Sequence, residues 1–151
     1  MAATRARAHT TPFRGEQGTS SGSNVGIVED ALITIVDDDS LARESAAALV
    51  RALGFAVAKF ASAEDFLESE DAIQTTCLIL DVELPGLSGI ALQRRLQEDG
   101  RKIPIIFITG VPDERSRRSA LSAGAVCFLT KPFDPEVFID LLVRAVGLGG
   151  H

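Results

Sequence analysis

Short runs of apolar residues, each followed by polar or turn-forming residues, recur along the chain. Five of these runs predict β-strands, over residues 32–36, 55–60, 76–82, 103–109 and 125–130. Short runs with no polar face are typical of strands that are buried on both sides of a parallel sheet. Segments with helical periodicity separate the runs and predict five helices, over residues 41–53, 62–68, 88–99, 113–123 and 134–146.

The alternation of strands and helices predicts the fold class. Connections of this kind favour right-handed crossovers, which give a parallel sheet with helices on both faces. We therefore predict an α/β, doubly wound, flavodoxin-like fold with five parallel strands in the common order 2-1-3-4-5 and five helices.

Capping residues and glycines predict where the helices begin and end. We expect Asp39 or Ser40 to cap the first helix and Ser62 to cap the second. Gly147 is expected to end the last helix. The first helix is predicted to bury one face, which consists of Leu41, Ser45, Ala48, Leu49 and Ala52.

Apolar periodicity is absent from the N-terminal part of the chain. Residues 1–31 contain many Gly and Ser residues, and we expect them to form a mobile tail. Residues 32–147 are predicted to form one domain, followed by a short C-terminal tail over residues 148–151. A chain of 151 residues that is 46% hydrophobic suits a single domain with a substantial core.

Charge and composition narrow the classes of partner. The formal net charge of −6 argues against nucleic acid as a direct partner. The sequence contains neither a stretch of transmembrane length nor the apolar core of a secretory signal, so we expect no membrane association. Cys77 and Cys127 lie inside predicted strands, away from metal-ligand spacing, and we interpret them as buried, reduced thiols in a cytoplasmic protein.

In four of the five predicted strands, polar side chains occur where the apolar run stops. They are Asp37 and Asp38, then Asp81, then Thr109, and finally Lys131. The carboxyl ends of parallel strands meet at one edge of the sheet, so the three carboxylates should converge. Their mutual repulsion calls for a proton or a cation, and oxygen ligands favour Mg²⁺ or, in its place, Mn²⁺. With such a metal, the lysine and the threonine could surround the oxygens of a phosphoryl group on Asp81, since a carboxylate is a competent nucleophile.

Each of these residues also has a purely structural interpretation. An aspartate of the 37–39 run could cap the first helix, and Asp81 could cap a turn. Thr109 could be a β-branched strand residue, and Lys131 could be solvated at the surface. The coincidence of four strand ends favours a site.

The same residues resemble a known family, the response-regulator receiver domains of two-component signalling in the CheY-like superfamily. The resemblance covers residues 32–146 and rests on segments 36–39, 80–89, 108–110 and 131–133, which are highly specific in their order and spacing. Segments 54–57 and 62–67 look most like the branch that includes the nitrogen-fixation regulator FixJ.

This resemblance implies a role for each acidic residue of the site. Asp81 would accept a phosphoryl group from a sensor histidine kinase or a phosphotransfer protein. Asp38 would bind Mg²⁺ directly, Asp37 would assist through water, and the backbone carbonyl of Glu83 would be a further ligand.

The resemblance also implies how phosphorylation would be sensed. Thr109 and Lys131 would bind the phosphoryl oxygens, and the Lys131–Pro132 bond would be cis. Phe128 matches the switch aromatic of the family, although a plain core phenylalanine is the competing interpretation. The face formed by residues 113–146 would then change its preference for a partner, which could be a second copy of this domain.

Two departures from the family pattern stand out. Glu83 places an extra carboxylate beside the acceptor, and we expect it to weaken the binding of anionic phosphodonors or to alter dephosphorylation. Receivers of the FixJ branch usually carry a DNA-binding domain after the last helix, whereas this sequence stops at His151.

Two other functions remain open at this point. In the first, the protein is a haloacid-dehalogenase-like phosphatase with Asp37 as its nucleophile, although Leu41 stands where that motif has Thr or Val. In the second, it is a receiver-like interaction module that is never phosphorylated.

Overall fold

The computed structural model describes residues 31–149, so all but one residue of the predicted N-terminal tail lie outside the described part of the chain. A five-stranded parallel sheet in the order β2-β1-β3-β4-β5 forms the centre of the domain, which confirms the predicted fold class and strand order. The strands are β1 (Leu32–Val36), β2 (Ala56–Phe60), β3 (Cys77–Asp81), β4 (Ile105–Thr109) and β5 (Cys127–Thr130).

Six helices lie within the described residues, one more than predicted. They are α1 (Ser40–Ala52), α2 (Ala63–Glu68), α3 (Asp71–Gln74), α4 (Gly89–Glu98), α5 (Glu114–Ser122) and α6 (Pro135–Gly149). The additional helix is α3, a single turn too short to show periodicity. Contacts distant in sequence hold it, because the guanidinium of Arg101 donates a hydrogen bond to the carbonyl oxygen of Ala72.

The two faces of the sheet are covered by different helices. Side chains alternate along each strand, so Ile33 and Ile35 of β1 point to one face while Leu32 and Val36 point to the other. Helices α1 and α6 pack on the first face, and α2, α4 and α5 pack on the second. Helix α5 contributes only one fully buried residue, Ala120.

Two sequence predictions about the helices are wrong. The buried residues of α1 are Ala46, Ala47 and Val50, whereas Leu41 is 76% exposed. Two alanines let the helix lie close to the sheet, and this contact sets the buried face. Helix α6 continues past Gly147 to Gly149, because Gly147 does not adopt the left-handed conformation that ends a helix.

Both cysteines are free thiols. Cys77 is buried, as predicted, whereas Cys127 is only half-buried because it lies on the edge strand β5. Burial raises the pKa of Cys77 to about 12 and that of Cys127, on the half-buried strand β5, to about 11. Within residues 31–149, no helix is both long enough and apolar enough to cross a membrane.

Candidate functional site

The predicted acidic site forms at the carboxyl edge of the sheet. Strands β1 and β3 are neighbours, with Val36 opposite Leu80 in register, so the residues that follow them lie side by side. Carboxylate oxygens of Asp37, Asp38 and Asp81 all lie within 4.8 Å of one another. Asp37 and Asp81 are each only 5% exposed, whereas Asp38 is exposed to solvent.

Local hydrogen bonds position Asp37. The backbone N–H of Asp39 donates to Asp37 Oδ1 at 3.0 Å, and the Arg43 guanidinium donates to the Asp37 carbonyl oxygen at 2.7 Å. Asp39 itself caps α1, because its carboxylate accepts the N–H groups of Leu41 and Ala42. The capping role therefore belongs to Asp39, and Asp37 and Asp38 lie in the acidic cluster.

Asp81 is the last residue of β3 and is held by the chain that follows it. The N–H of Glu83 donates to Asp81 Oδ1 at 3.0 Å. The chain then folds back so closely that a side chain at Gly89 would clash with the Asp81 carbonyl oxygen. Asp81 Oδ2 is left to face the other charged groups of the site.

Lys131 closes the acidic cluster. Its Nζ lies 3.0 Å from Asp37 Oδ2 and 3.3 Å from Asp81 Oδ2, and its side chain is 20% exposed. Burial lowers the pKa of Lys131, but its hydrogen bonds and charge interactions with the two aspartates outweigh burial and raise it. Lys131 is therefore a fixed positive charge rather than a solvated surface lysine.

The carboxyl of Asp81 is also perturbed. Burial raises its pKa to about 6, assisted by the Asp37 carboxylate, while the Glu83 N–H and the Lys131 charge oppose the rise. An ionised Asp81 is therefore stabilised by any additional positive charge that reaches the cluster.

Thr109 lies at the end of β4 and is fully buried. Its hydroxyl accepts a hydrogen bond from the N–H of Val111 at 3.1 Å and also lies 3.2 Å from the Val111 carbonyl oxygen. The N–H of Lys131 donates to the Thr109 carbonyl oxygen at 2.8 Å, so the two predicted phosphate-binding residues are joined through the backbone. The Lys131–Pro132 bond is cis, as predicted.

The other two predicted residues are Phe128 and Glu83. Phe128 on β5 is half-buried, with its ring centroid 6.0 Å from that of Phe107. The side chain of Glu83 is exposed and lines a groove of about 660 Å³ with Arg115 and Ser116 on α5. The roles predicted for Phe128 and for the Glu83 carbonyl stay predictions.

The donor set fits a hard divalent cation. Three carboxylates converge, two of them buried, and one ammonium group only partly balances their charge. Oxygen ligands with room for water match the preference of Mg²⁺, and of Mn²⁺ in its place.

Sequence reasoning missed two residues near the site. Arg43 bonds to the Asp37 carbonyl from the first turn of α1, and Glu64 on α2 accepts the N–H of Leu87 at 2.8 Å. Both bonds join a side chain to a backbone atom. Such bonds leave no residue-type pattern, although segment 62–67 was distinctive as a motif.

Comparison with known proteins agrees with this geometry. The family model of the response regulator receiver domain matches residues 33–143. The response regulator protein TmoT of Ectopseudomonas mendocina is 42% identical over 120 residues, which are 80% of this chain and 54% of that protein. The transcriptional regulatory protein FixJ of Rhizobium meliloti is 39% identical over 116 residues, which are 77% of this chain and 57% of that protein. The chain thus spans about half the length of the curated relatives it matches.

Solved structures show the same relationship. The crystal structure of FixJ-N superimposes with a TM-score of 0.69 and 37% identity, covering 78% of this chain and 94% of that chain. The response regulator StyR gives a TM-score of 0.72, also at 37% identity, and covers 80% of this chain and 61% of that chain. The chain therefore belongs to the response regulator receiver domain family of two-component systems.

Proposed function

We propose that the protein is a phosphorylation-controlled switch that accepts a phosphoryl group on Asp81 from a sensor histidine kinase or a phosphotransfer protein. The convergence of Asp37, Asp38 and Asp81 with Lys131 at one edge of the sheet is the observation that carries the proposal. Membership of a family whose members act with histidine kinases supports the choice of donor.

The proposed step is a phosphoryl transfer. An Asp81 carboxylate oxygen attacks phosphorus as the phosphorus–nitrogen bond of a phosphohistidine breaks, and the imidazole leaves with the bonding electron pair and takes a proton from solvent. The product is an aspartyl phosphate. Asp38, Asp81 and the Glu83 carbonyl oxygen would hold Mg²⁺, with Asp37 assisting through water, and the ion would supply positive charge that stabilises the phosphoryl group.

Two further residues stabilise the transferred group. Lys131 is already within 3.3 Å of Asp81 Oδ2, so its ammonium can bind a phosphoryl oxygen there. The Thr109 hydroxyl bonds to Val111 in this structure and would exchange that partner for a phosphoryl oxygen. Such an exchange would move the chain leading into α5, and Phe128 is the residue expected to follow it.

Incubation with acetyl phosphate and Mg²⁺ tests the proposal. The expected product is one acid-stable, base-labile phosphoryl group per chain, mapped to Asp81 by mass spectrometry. It should be absent from Asp81→Asn and should require the divalent cation. An unmodified wild-type protein under these conditions would refute phosphorylation and leave the interaction-module function.

An assay with a phosphate ester as substrate tests the phosphatase alternative. Asp37 and Asp81 each accept one backbone N–H and both pair with Lys131, so the two functions are separated by substituting each aspartate in turn. Steady release of phosphate from a phosphate ester, abolished in Asp37→Asn but retained in Asp81→Asn, would favour the phosphatase. We expect no steady release of phosphate from the ester by the wild-type protein.

We further propose that residues 113–146 form the output surface, with a second copy of the domain as the first candidate partner. Strand β5 is at the edge of the sheet, and its residues Cys127–Leu129 are only half-buried. We place the protein in the cytoplasm, with neither membrane nor nucleic acid as a direct partner of residues 32–147.

A further inference from the structure

We infer that Glu64 is a positioning residue of the phosphorylation site: it holds the loop that carries the Glu83 carbonyl oxygen in the orientation that binds Mg²⁺. The inference rests on the proposed function, because it concerns the proposed metal site. Glu64 lies in the first turn of α2, four residues after the end of β2, and no step of the proposed chemistry uses it. We call residues 82–88, which join β3 to α4, the site loop.

The carboxylate of Glu64 contacts the tip of the site loop directly. Glu64 Oε2 accepts the N–H of Leu87 at 2.8 Å across 23 positions of sequence. At the neighbouring Gly86, whose φ is +75°, a Cβ atom would lie only 2.5 Å from the same oxygen. The Glu64 carboxylate therefore packs directly against the backbone of Gly86. Any residue larger than glycine at position 86 would displace this carboxylate.

The base of the site loop is fixed by other bonds. The N–H of Glu83 donates to Asp81 Oδ1 at 3.0 Å, and the N–H of Gly89 donates to the Val82 carbonyl oxygen at 2.9 Å. These bonds join parts of the same segment, whereas the bond from Glu64 reaches the loop from another element. The Glu83 peptide lies between the two anchors, so both determine where its carbonyl oxygen points.

Helix α2, which carries Glu64, is held in place by an N-terminal cap and by packing against the sheet. The Ser62 hydroxyl caps the helix by accepting the N–H of Asp65 at 3.1 Å. Phe66 is fully buried, with its ring centroid 5.9 Å from that of Phe60 on β2. In segment 62–67, Ser62 thus begins the helix, Phe66 fixes it to the sheet, and Glu64 reaches the loop.

A positioning role predicts a specific effect of Glu64→Ala. The Mg²⁺ concentration for half-maximal phosphorylation by acetyl phosphate should rise about three- to tenfold, as expected for the loss of one hydrogen bond. The rate at saturating Mg²⁺ should stay within about twofold of the wild-type rate, because the reacting groups are untouched. Titration of Mg²⁺ by isothermal calorimetry should show the same loss of affinity without phosphodonor.

Two further variants separate the hydrogen bond from the charge. Glu64→Gln keeps a carbonyl oxygen that can accept the Leu87 N–H, so its Mg²⁺ affinity should be close to that of the wild-type protein. Glu68→Ala removes an exposed carboxylate from the same helix and should have no effect. Of these three variants, only Glu64→Ala should show faster hydrogen exchange of the Leu87 amide than the wild-type protein.

Each contrary result overturns the inference. Wild-type Mg²⁺ affinity in Glu64→Ala would overturn it while leaving the proposed function intact, provided that the wild-type protein is phosphorylated. Equal losses in Glu64→Gln and Glu64→Ala would assign the effect to charge rather than to loop position. A wild-type protein that neither binds Mg²⁺ nor forms the adduct would remove the proposed function and this inference together.

Discussion

Asp81 is destabilising in the metal-free protein because it is a buried carboxylate next to another. Burial and the Asp37 carboxylate raise its pKa to about 6, whereas an aspartate in an unfolded chain has a pKa of about 3.9. Between these values the folded state binds more protons than the unfolded state. The contribution of Asp81 to the free energy of unfolding therefore falls as the pH rises from about 4 to about 6.

The Asp81→Asn variant should therefore be more stable than the wild-type protein at pH 8 without Mg²⁺. We expect a gain of about 1–2 kcal/mol in the free energy of unfolding, after a discount for the partial solvent screening of the site. At pH 4 the gain should largely vanish, because the wild-type carboxyl is then protonated. Urea unfolding of both proteins in chelator at the two pH values measures this, and a gain that is equal at both pH values would contradict the explanation.

Glu83 is the second residue whose charge should affect the chemistry. Its exposed side chain follows the acceptor by two positions, and its N–H is already bonded to Asp81. Glu83→Gln should speed phosphorylation by acetyl phosphate about two- to fivefold at low salt, since repulsion of the anionic donor by a nearby exposed charge is worth about 0.5–1 kcal/mol. The difference in phosphorylation rate between Glu83→Gln and the wild-type protein should shrink at 1 M salt, because salt screens the repulsion.

Glu98→Gln provides the matched control for this measurement. Glu98 is an exposed glutamate at the far end of α4, so its loss changes the net charge equally but leaves the site alone. Equal phosphorylation rates for Glu83→Gln and the wild-type protein at low salt would refute a kinetic role for the Glu83 charge.

At the level of whole elements, the start of α4 determines how the acceptor strand is packed. Gly89 is the first residue of α4, and a Cβ atom there would clash with the Asp81 carbonyl oxygen and lie 3.0 Å from the Val82 Cα. The atoms that would have to move belong to the backbone of the site. Gly89→Ala should therefore lower the free energy of unfolding by about 1–3 kcal/mol, as overpacking does elsewhere.

Gly147→Ala provides the contrasting case in α6. A Cβ atom at Gly147 would meet no neighbour within 4 Å, and the residue has ordinary helical backbone. The substitution should raise the free energy of unfolding by about 0.5–1 kcal/mol. Chemical denaturation of Gly89→Ala and Gly147→Ala measures both changes in the free energy of unfolding. A Gly89→Ala protein as stable as the wild type would show that the close approach at the start of α4 can relax without cost.

The elements differ in how far the sequence predicts them. The strands are buried on both faces, so uninterrupted apolar runs identify them, and the caps Asp39 and Ser62 are visible because their bonds are local. The buried face of α1 was mispredicted because the contact of Ala46 and Ala47 with the sheet sets its orientation. Helix α3 was missed because contacts such as the Arg101 bond come from far along the chain.

The same division between local and distant contacts applies to the site. Strand order alone brings Asp37, Asp38 and Asp81 together, so knowledge of the fold is enough to predict the cluster. Arg43 and Glu64 bond to backbone atoms near the cluster, and these contacts could not be assigned from residue types. The pairing of Lys131 with both buried aspartates likewise required coordinates.

At the scale of the whole molecule, the face formed by residues 113–146 carries exposed charges of both signs. Helix α5 carries exposed arginines, whereas α6 carries exposed acidic residues near its start. They are Arg115, Arg117 and Arg118 on the first helix, and Glu136 and Asp140 on the second. Within each helix, Glu114 pairs with two of the arginines and Arg144 pairs with Asp140. A twofold axis parallel to β5 would place α5 of each copy beside α6 of the other copy. Helices of unlike charge would then face each other, and the half-buried strand β5 would be covered.

We therefore predict that phosphorylation promotes a homodimer through this face. Beryllium fluoride with Mg²⁺, as a phosphoryl analogue, should double the mass measured by sedimentation at micromolar protein concentrations, while Asp81→Asn should stay monomeric. Arg118→Glu should raise the dissociation constant of the dimer at least tenfold, because it places a glutamate on α5 opposite the acidic residues of α6 in the other copy. Arg94→Glu, on the exposed side of α4, has the same charge change outside the face and should dimerise normally. A phosphorylated protein that stays monomeric would contradict this prediction.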